Sequence, residues 1–243
     1  MLTVKFKHLD LKPGQRVLDL GCGEGRHVHG FHMVDGINVV GVDIDEPSLA
    51  KAREGIEYLD RQSSDTYPTG DTSFMQASAY ELPFEDDCFD VVICSEVLEH
   101  LDNYPAAILE MRRVLKPGGK LGITVPHGWP ERMCWRLAPP PGGYPFEPGG
   151  HIRIFDDTAL KYELVNAGFT FQRKHHTHGL HSPYWWLKCA LWDQRDTHWL
   201  IKLYHNFLVW DLMKKPILTR FLDAITSPIM GKSVALYFEA NEK

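Results

Sequence analysis

Several common signatures are missing from this 243-residue chain. There is no Cys-x-x-Cys pair, and the five cysteines, Cys22, Cys88, Cys94, Cys134 and Cys189, are scattered and odd in number. That pattern argues against a disulfide framework or a cysteine zinc site and predicts free thiols in a reducing, cytoplasmic setting. No window of about 18 apolar residues is free of charge, so no membrane-spanning helix is expected. The opening MLTVKFKHLDLKPG lacks a continuous apolar core and does not read as a signal peptide. Positive charge is also short. Lys and Arg number 26 against 32 Asp and Glu, a net −6, which disfavours a phosphate backbone as partner. No internal repeat or low-complexity tract is found.

What is present is a rhythm of strands and helices. Residues 16–20 (RVLDL), 37–43 (INVVGVD), 73–77, 89–95 (FDVVICS) and 120–125 (KLGITV) are short apolar runs of strand type. Helical spacing fills the gaps, near 24–33, over EPSLAKAREGIEYL, and from Pro105 to Leu115. Residues 61–72 read as a polar loop. Such alternation predicts an α/β fold, a Rossmann-like seven-stranded, mostly parallel sheet with helices on both faces.

The rhythm breaks at Pro126. Seven prolines fall in residues 126–150, which predicts a long ordered loop there rather than a helix. FDDTALKYELVNAGF restores a helix, with Asp156 or Asp157 as N-cap and Gly168 as stop. Strand six follows at 169–174, and the last strand, SVALYFEA, comes only at 233–240. The division expected is therefore one domain, 1–174 plus 233–243, interrupted by a helical, aromatic-rich insertion at 175–232. That insertion holds five of the seven tryptophans and six of the thirteen histidines.

The first strand runs into Gly21-x-Gly23-x-Gly25. This lacks the third glycine position of the dinucleotide fingerprint G-x-G-x-x-G and the Gly-Lys-Ser/Thr of a P-loop. Asp19, just before the turn, suits a cation better than a pyrophosphate. Asp43, at the end of the second strand, can accept both hydroxyls of a ribose. An adenosine cofactor that carries positive charge and no phosphate satisfies both acids, and S-adenosylmethionine is such a molecule. Helix capping by the two acids is the plainer alternative.

VLDLGCGEG, VVGVDID, ASAYELPFEDDCFDVVICSEVLEHL and RVLKPGGKLGITVP, in this order, resemble successive motifs of the class I S-adenosylmethionine-dependent methyltransferases. The chain looks most similar to the small-molecule, type 11 branch that includes the ubiquinone/menaquinone-biosynthesis enzymes. The resemblance covers roughly residues 12–174 and the final strand. It implies that backbone at Gly21, Cys22 and Gly23 approaches the methionine part of the cofactor. It further implies that Asp19 binds the ammonium, Arg26 pairs with the carboxylate, Asp43 holds the ribose and Ile44 packs on adenine. Ser78 and Ala79 would read the adenine edge, and Ser95 would line the methionine side. Many relatives carry Asp where Ser78 stands, so that contact is weaker here.

Methyl transfer from a sulfonium needs a base only if the acceptor must lose a proton. His151 in HIRIF, His127 after strand five and His100 in EVLEHL are the candidates, with His151 first; Glu96 and Glu99 lie near. Each is more often a structural histidine bonded to backbone than a catalyst. The run HHTHGLH (His175, His176, His178, His181) has no carboxylate or cysteine at ligand spacing, so no metal is expected from it. Within the insertion, His181, Tyr184, Trp185 and Trp186 are candidates for an acceptor pocket. WLIKLYHNFLVWDLM is apolar around most of its circumference and should be packed on both sides. The acceptor expected is a small lipophilic, aromatic or sugar-like molecule. Peripheral membrane contact and a monomer or homodimer are compatible with this reading. A nucleic-acid or protein methyltransferase and a non-catalytic cofactor-binding regulator are the alternatives.

Overall fold

The computed structural model describes residues 2–62, 70–138, 143–147 and 150–242. Seven strands form one sheet: β1 (Arg16–Leu20), β2 (Asn38–Asp43), β3 (Thr72–Gln76), β4 (Phe89–Ser95), β5 (Leu115–Pro126), β6 (Phe169–Thr177) and β7 (Ser233–Ala240). Their spatial order is β3-β2-β1-β4-β5-β7-β6. The first five strands are mutually parallel, and β7 runs antiparallel to both β5 and β6. The strand order reverses beside β1, between β1 and β4. In an open α/β sheet the crevice at such a switch point, at the carboxyl ends of the strands, receives the ligand.

Side-chain alternation explains why both faces are covered. Leu18, Val40, Val92 and Leu121 point to one side, where Ala107, Ile108 and Met111 of α3 (Tyr104–Val114) and Leu160 and Leu164 of α5 (Asp157–Asn166) meet them. Val17, Val39 and Val91 point to the other, against Val28 and Phe31 of α1 (Arg26–His32) and Leu49 of α2 (Glu46–Gln62). The period of two along strands buried on both faces produces the continuous apolar runs of the sequence. Asp156 caps α5 as expected, accepting from the N–H groups of Thr158 and Ala159.

Three expectations need correction. First, residues 126–150 are not all loop, since α4 spans Gly128–Leu137. Its only interior proline, Pro130, sits in the first turn, where an N–H has no helical partner to lose. Pro139–Pro141 lie beyond its end and outside the described residues, as do 142 and 148–149. Second, β6 continues through His175 and His176 to Thr177, so the segment between β6 and β7 begins at His178. Third, α7 (Trp199–Lys214) is not packed on both sides. Only Ile201 and Leu208 are buried, while Trp199 is 66% and Met213 74% exposed. It rests on α6 (Ser182–Ala190) along one side, while Leu203, Val209 and Trp210 are exposed as well. The expected polar loop at 61–72 is partly the end of α2 and the start of β3, and its residues 63–69 lie outside the described part.

Candidate cofactor and acceptor site

Glycine chemistry shapes the first turn. Gly21 has φ +71° and Gly23 φ +52°, left-handed values that favour glycine. A Cβ on Gly21 would collide with the Val97 side chain, whereas one on Gly23 would meet only open space. The backbone is thus left bare where a ligand can approach. The N–H groups of Gly21 and Cys22 both donate to Val42 O, which ties the turn to β2.

Asp43 reaches across to this turn. Its Oδ2 accepts from Gly23 N–H at 2.7 Å and its Oδ1 from Asp45 N–H at 2.9 Å. Two anchored oxygens still have lone pairs for further donors. Asp19 is 1% exposed, and its Oδ2 has no hydrogen-bond partner among the described residues. Burial pushes its carboxyl up to about 7; Arg26 opposes this and Asp43 reinforces it. A buried, unsatisfied acceptor is costly and calls for a donor.

A cavity of about 350 Å³ opens beside the turn. It is lined by Gly21, Gly23, Asp43, Ile44, Ser78 and Ala79, together with Tyr80, Glu96, Val97 and His100. Ile44 is 71% exposed at its rim, an apolar surface without a cover. Ser78 Oγ accepts from Tyr80 N–H at 3.2 Å. Cys22 is buried beside the turn, and burial pushes its thiol well up, so no thiolate nucleophile is prepared there. Ser95 is buried with its hydroxyl 2.9 Å from Thr124 Oγ1, and Arg26 is exposed in the first turn of α1. Asp19, Cys22, Arg26 and Ser95 therefore surround the turn and the end of β4 without lining the cavity. Glu96, the residue after β4, has φ +58°, a strained value for glutamate. Thr124 holds it: its backbone O accepts from Glu96 N–H at 3.0 Å, and its Oγ1 donates to Glu96 Oε1 at 2.8 Å.

His100 links this cavity to a second group. Its ring stands edge-on to His151 with centroids 5.0 Å apart. His151 Nδ1 lies 2.7 Å from Glu131 Oε1 and 3.1 Å from the Tyr144 hydroxyl. Burial alone would raise the Glu131 carboxyl, but the hydrogen bond from His151 and the charge of Lys232 leave it below its ordinary value. Burial and the negative charge of Glu96 push the Glu99 carboxyl well up. His127 stands apart from this group. Its Nδ1 is 3.1 Å from Gly231 O and its ring lies on His176, 4.3 Å between centroids.

The insertion candidates do not line the 350 Å³ cavity. Trp186 donates from Nε1 to Pro130 O at 3.0 Å, and Trp185 faces Tyr144 with centroids 5.8 Å apart. Both therefore pack α6 onto α4 and the Tyr144 turn, one layer behind His151. Tyr184 turns instead towards Tyr204 and His205 of α7. His181 lines a larger cavity of about 770 Å³ with His175, His176 and His178, between the end of β6 and α8 (Ile217–Met230). That space is away from the glycine turn and shares no residue with it. Glu131 and Tyr144 were invisible as site residues in the sequence because the segment holding them reads as loop. The two acids of EVLEH were the only visible signal for Glu96 and Glu99.

The sheet order and the glycine turn resemble those of class I S-adenosylmethionine-dependent methyltransferases, and the matched relatives support S-adenosylmethionine as the cofactor. Residues 18–123 match the family described as "Methyltransferase domain". An uncharacterised methyltransferase of Schizosaccharomyces pombe is 38% identical over 111 residues, 45% of this chain and 39% of that protein. The ubiquinone/menaquinone biosynthesis C-methyltransferase UbiE of Vibrio campbellii is 39% identical over 112 residues, 45% of this chain and 40% of that one. The matched part thus spans about two fifths of the length of these relatives. A solved structure of a putative methyltransferase from Bacillus halodurans superposes with TM-score 0.62 at 20% identity, covering 98% of this chain and 97% of that one. The [4+2]-cyclase SpnF superposes with TM-score 0.63 at 21% identity, covering 98% and 79%. At these identities the structural likeness shows the fold alone.

Proposed function

We propose that the chain is a methyltransferase that moves the methyl group of S-adenosylmethionine to a small, lipophilic, aromatic or sugar-like acceptor. The observation that carries this reading is the position of His100, which lines the cofactor cavity on one side and touches His151 on the other. The bound cofactor supplies an activated sulfonium methyl for in-line displacement. The chain's own groups then hold, orient and keep water out. Asp19 offers its unpartnered Oδ2 to the cofactor's ammonium, and Arg26 offers a charge for its carboxylate. Gly21, Cys22 and Gly23 let the methionine part approach, with Ser95 behind them. Asp43 takes the ribose hydroxyls, Ile44 covers adenine, and Ser78 and Ala79 face its edge.

On the acceptor side, His151 leads among the three histidines. Glu131 and Tyr144 fix its Nδ1, so Nε2 is the nitrogen available to a proton or an acceptor atom. His100 lies next to it and His127 is set apart. Trp185 and Trp186 belong to the wall behind this group, excluding water and shaping selection, whereas Tyr184 faces α7 and His181 the separate cavity beside α8.

A lipophilic acceptor agrees with the outer surface. Ile217, Leu218, Phe221, Leu222, Ile225 and Ile229 form an exposed stripe on α8 at helical spacing. Trp199, Trp210 and Met213 of α7 are exposed too, with Lys202, Lys214, Lys215 and Arg220 interspersed. Aromatic and cationic residues around apolar ones suit the surface of a bilayer, from which such an acceptor could be drawn. No helix among the described residues is long and apolar enough to cross a membrane. Five free cysteines fit a cytoplasmic location. A second reading, cofactor binding without methyl turnover, gains weight because a [4+2]-cyclase has the same fold. The acidic balance still speaks against a nucleic-acid acceptor.

Methyl-labelled cofactor incubated with lipid and polar cell extracts tests the reading. Label should enter the lipid fraction with equimolar S-adenosylhomocysteine. His151→Ala should lower turnover about 10²–10⁴-fold if His151 takes the proton. Tight cofactor binding with no transfer to any fraction would favour the regulator.

A further inference from the structure

Glu99, His100 and His151 meet at one point. Each offers one ligand atom, and these atoms lie within 4.8 Å of one another. Glu99 is fully buried, and neither of its oxygens has a hydrogen-bond partner among the described residues. His151 Nε2 stands 3.9 Å from Glu99 Oε1, too far for a hydrogen bond. A buried carboxylate aimed at two imidazoles, with no donor of its own, lacks a cation.

What holds the other ring nitrogens prepares both histidines as ligands. Nδ1 of His151 faces the Glu131 carboxylate at 2.7 Å, so Nδ1 carries the proton and Nε2 keeps its lone pair towards Glu99. Nδ1 of His100 faces Gly150 O at 3.1 Å, and a carbonyl only accepts, so the same tautomer is set. Ligating histidines are commonly oriented by such a carboxylate or carbonyl behind them.

We propose that Glu99, His100 and His151 bind one divalent first-row transition ion, such as zinc or manganese, whose open positions take hydroxyl oxygens of the acceptor. Two nitrogens and one carboxylate suit such ions better than magnesium or calcium. Metal–ligand bonds of about 2.0–2.2 Å require the three atoms to draw in by roughly 1 Å. His100, exposed on the short turn Leu98–His100, is the group that can move. Three protein ligands leave positions open, and His100 puts them at the edge of the cofactor cavity. This second half rests on the methyltransferase reading. With His151 Nε2 bound to the ion, His151 acts as ligand instead of base, and an acceptor hydroxyl held there releases its proton to solvent at lower pH than in water. Its oxygen pair then forms the O–C bond while the C–S bond of the cofactor breaks and that pair goes to sulfur. The ion changes neither charge nor oxidation state.

The test uses the full chain stripped with chelator and dialysed against Mn²⁺ alone or Zn²⁺ alone, with bound metal measured by elemental analysis. One ion per chain is expected. Glu99→Gln and His100→Ala should remove it, Glu131→Gln should weaken it about 10–100-fold, and His176→Ala should leave it intact. His100 is exposed, so its variant guards against a folding failure at Glu99. No ion on the wild-type chain, or equal retention by Glu99→Gln and His100→Ala, overturns the site. Catechol, a vicinal-diol probe, should bind the loaded chain and not the stripped one; equal binding overturns the acceptor half. S-adenosylhomocysteine binding is measured alongside. A chain that takes this ligand but no ion sinks the ion proposal alone, whereas one that takes the ion but not this ligand sinks the methyltransferase reading.

Discussion

Asp43→Ala removes a carboxylate with two duties. In the free chain its oxygens accept from the N–H groups of Gly23 and Asp45 at 2.7 and 2.9 Å. In the proposed cofactor placement, the same oxygens take the ribose hydroxyls. A hydrogen bond to a charged group contributes about 1.5–3 kcal/mol net, and two that share one carboxylate give less than twice that, so about 2–4 kcal/mol of affinity should vanish. The dissociation constant for S-adenosylhomocysteine should rise about 30- to 1000-fold. Losing the anchor on Gly23 should also cost about 1 kcal/mol of stability. Asp43→Asn keeps one carbonyl acceptor and should fall between wild type and Asp43→Ala. Calorimetric titration gives the affinities, and denaturant unfolding of the same samples gives the stabilities. A folded Asp43→Ala chain with wild-type affinity would refute the placement of the ribose at the end of β2.

Three further outcomes follow from the same geometry. Asp19 is held up to about 7 by burial, above its unfolded value, so the folded chain keeps a proton there that the unfolded chain has lost. Stability from this group is therefore full at low pH and declines as pH rises through the window from about 4 to 7. S-adenosylhomocysteine, whose ammonium needs the ionised form, should bind roughly 10–30-fold more tightly at pH 7.5 than at 5.5, and Asp19→Asn should flatten that slope in titrations across this range. Gly21→Ala forces a left-handed alanine, about 1–2 kcal/mol, and drives its Cβ into Val97 on the cavity wall. It should lose both thermal stability and cofactor affinity, and wild-type melting with wild-type binding would count against the turn as described. Replacing Trp185 and Trp186 together by Ala should unfasten α6 from α4 and cost about 2–4 kcal/mol in denaturant unfolding, with cofactor affinity kept because neither ring lines the cavity. Full activity and stability in that variant, with loss of liposome binding, would make the insertion an association surface instead.

The parallel part of the fold was legible because its strands are buried on both faces. RVLDL and FDVVICS are mostly apolar and end at a glycine turn or an acid, and their boundaries in the sheet coincide with these runs. β5 begins five residues earlier than its apolar core, since Leu115 pairs with Phe89 before the ladder shifts register at Val91. Composition misled at α4. Averaging prolines over residues 126–150 hid a ten-residue helix that holds one proline in its first turn. The end of β6 was hidden by its histidines, which pair in the ladder opposite Ala235 and Val234. Asp19 and Asp43 could be picked out because the glycine turn fixes what stands on either side of it. Glu131 could not, because its partner His151 is 20 residues away and the two meet only through the fold. The outward face of α7 was unpredictable for a related reason. An all-round apolar helix states that it needs a cover and not where the cover comes from.

A crystal structure of the full chain with S-adenosylhomocysteine tests the central claim most directly. The account predicts the ligand in the 350 Å³ cavity, with adenine on Ile44, the ribose on Asp43 and the ammonium within hydrogen-bond reach of Asp19 Oδ2, its sulfur turned towards His100. Ligand bound in the histidine-lined cavity between β6 and α8, or in the expected cavity with Asp43 and Asp19 untouched, would contradict it.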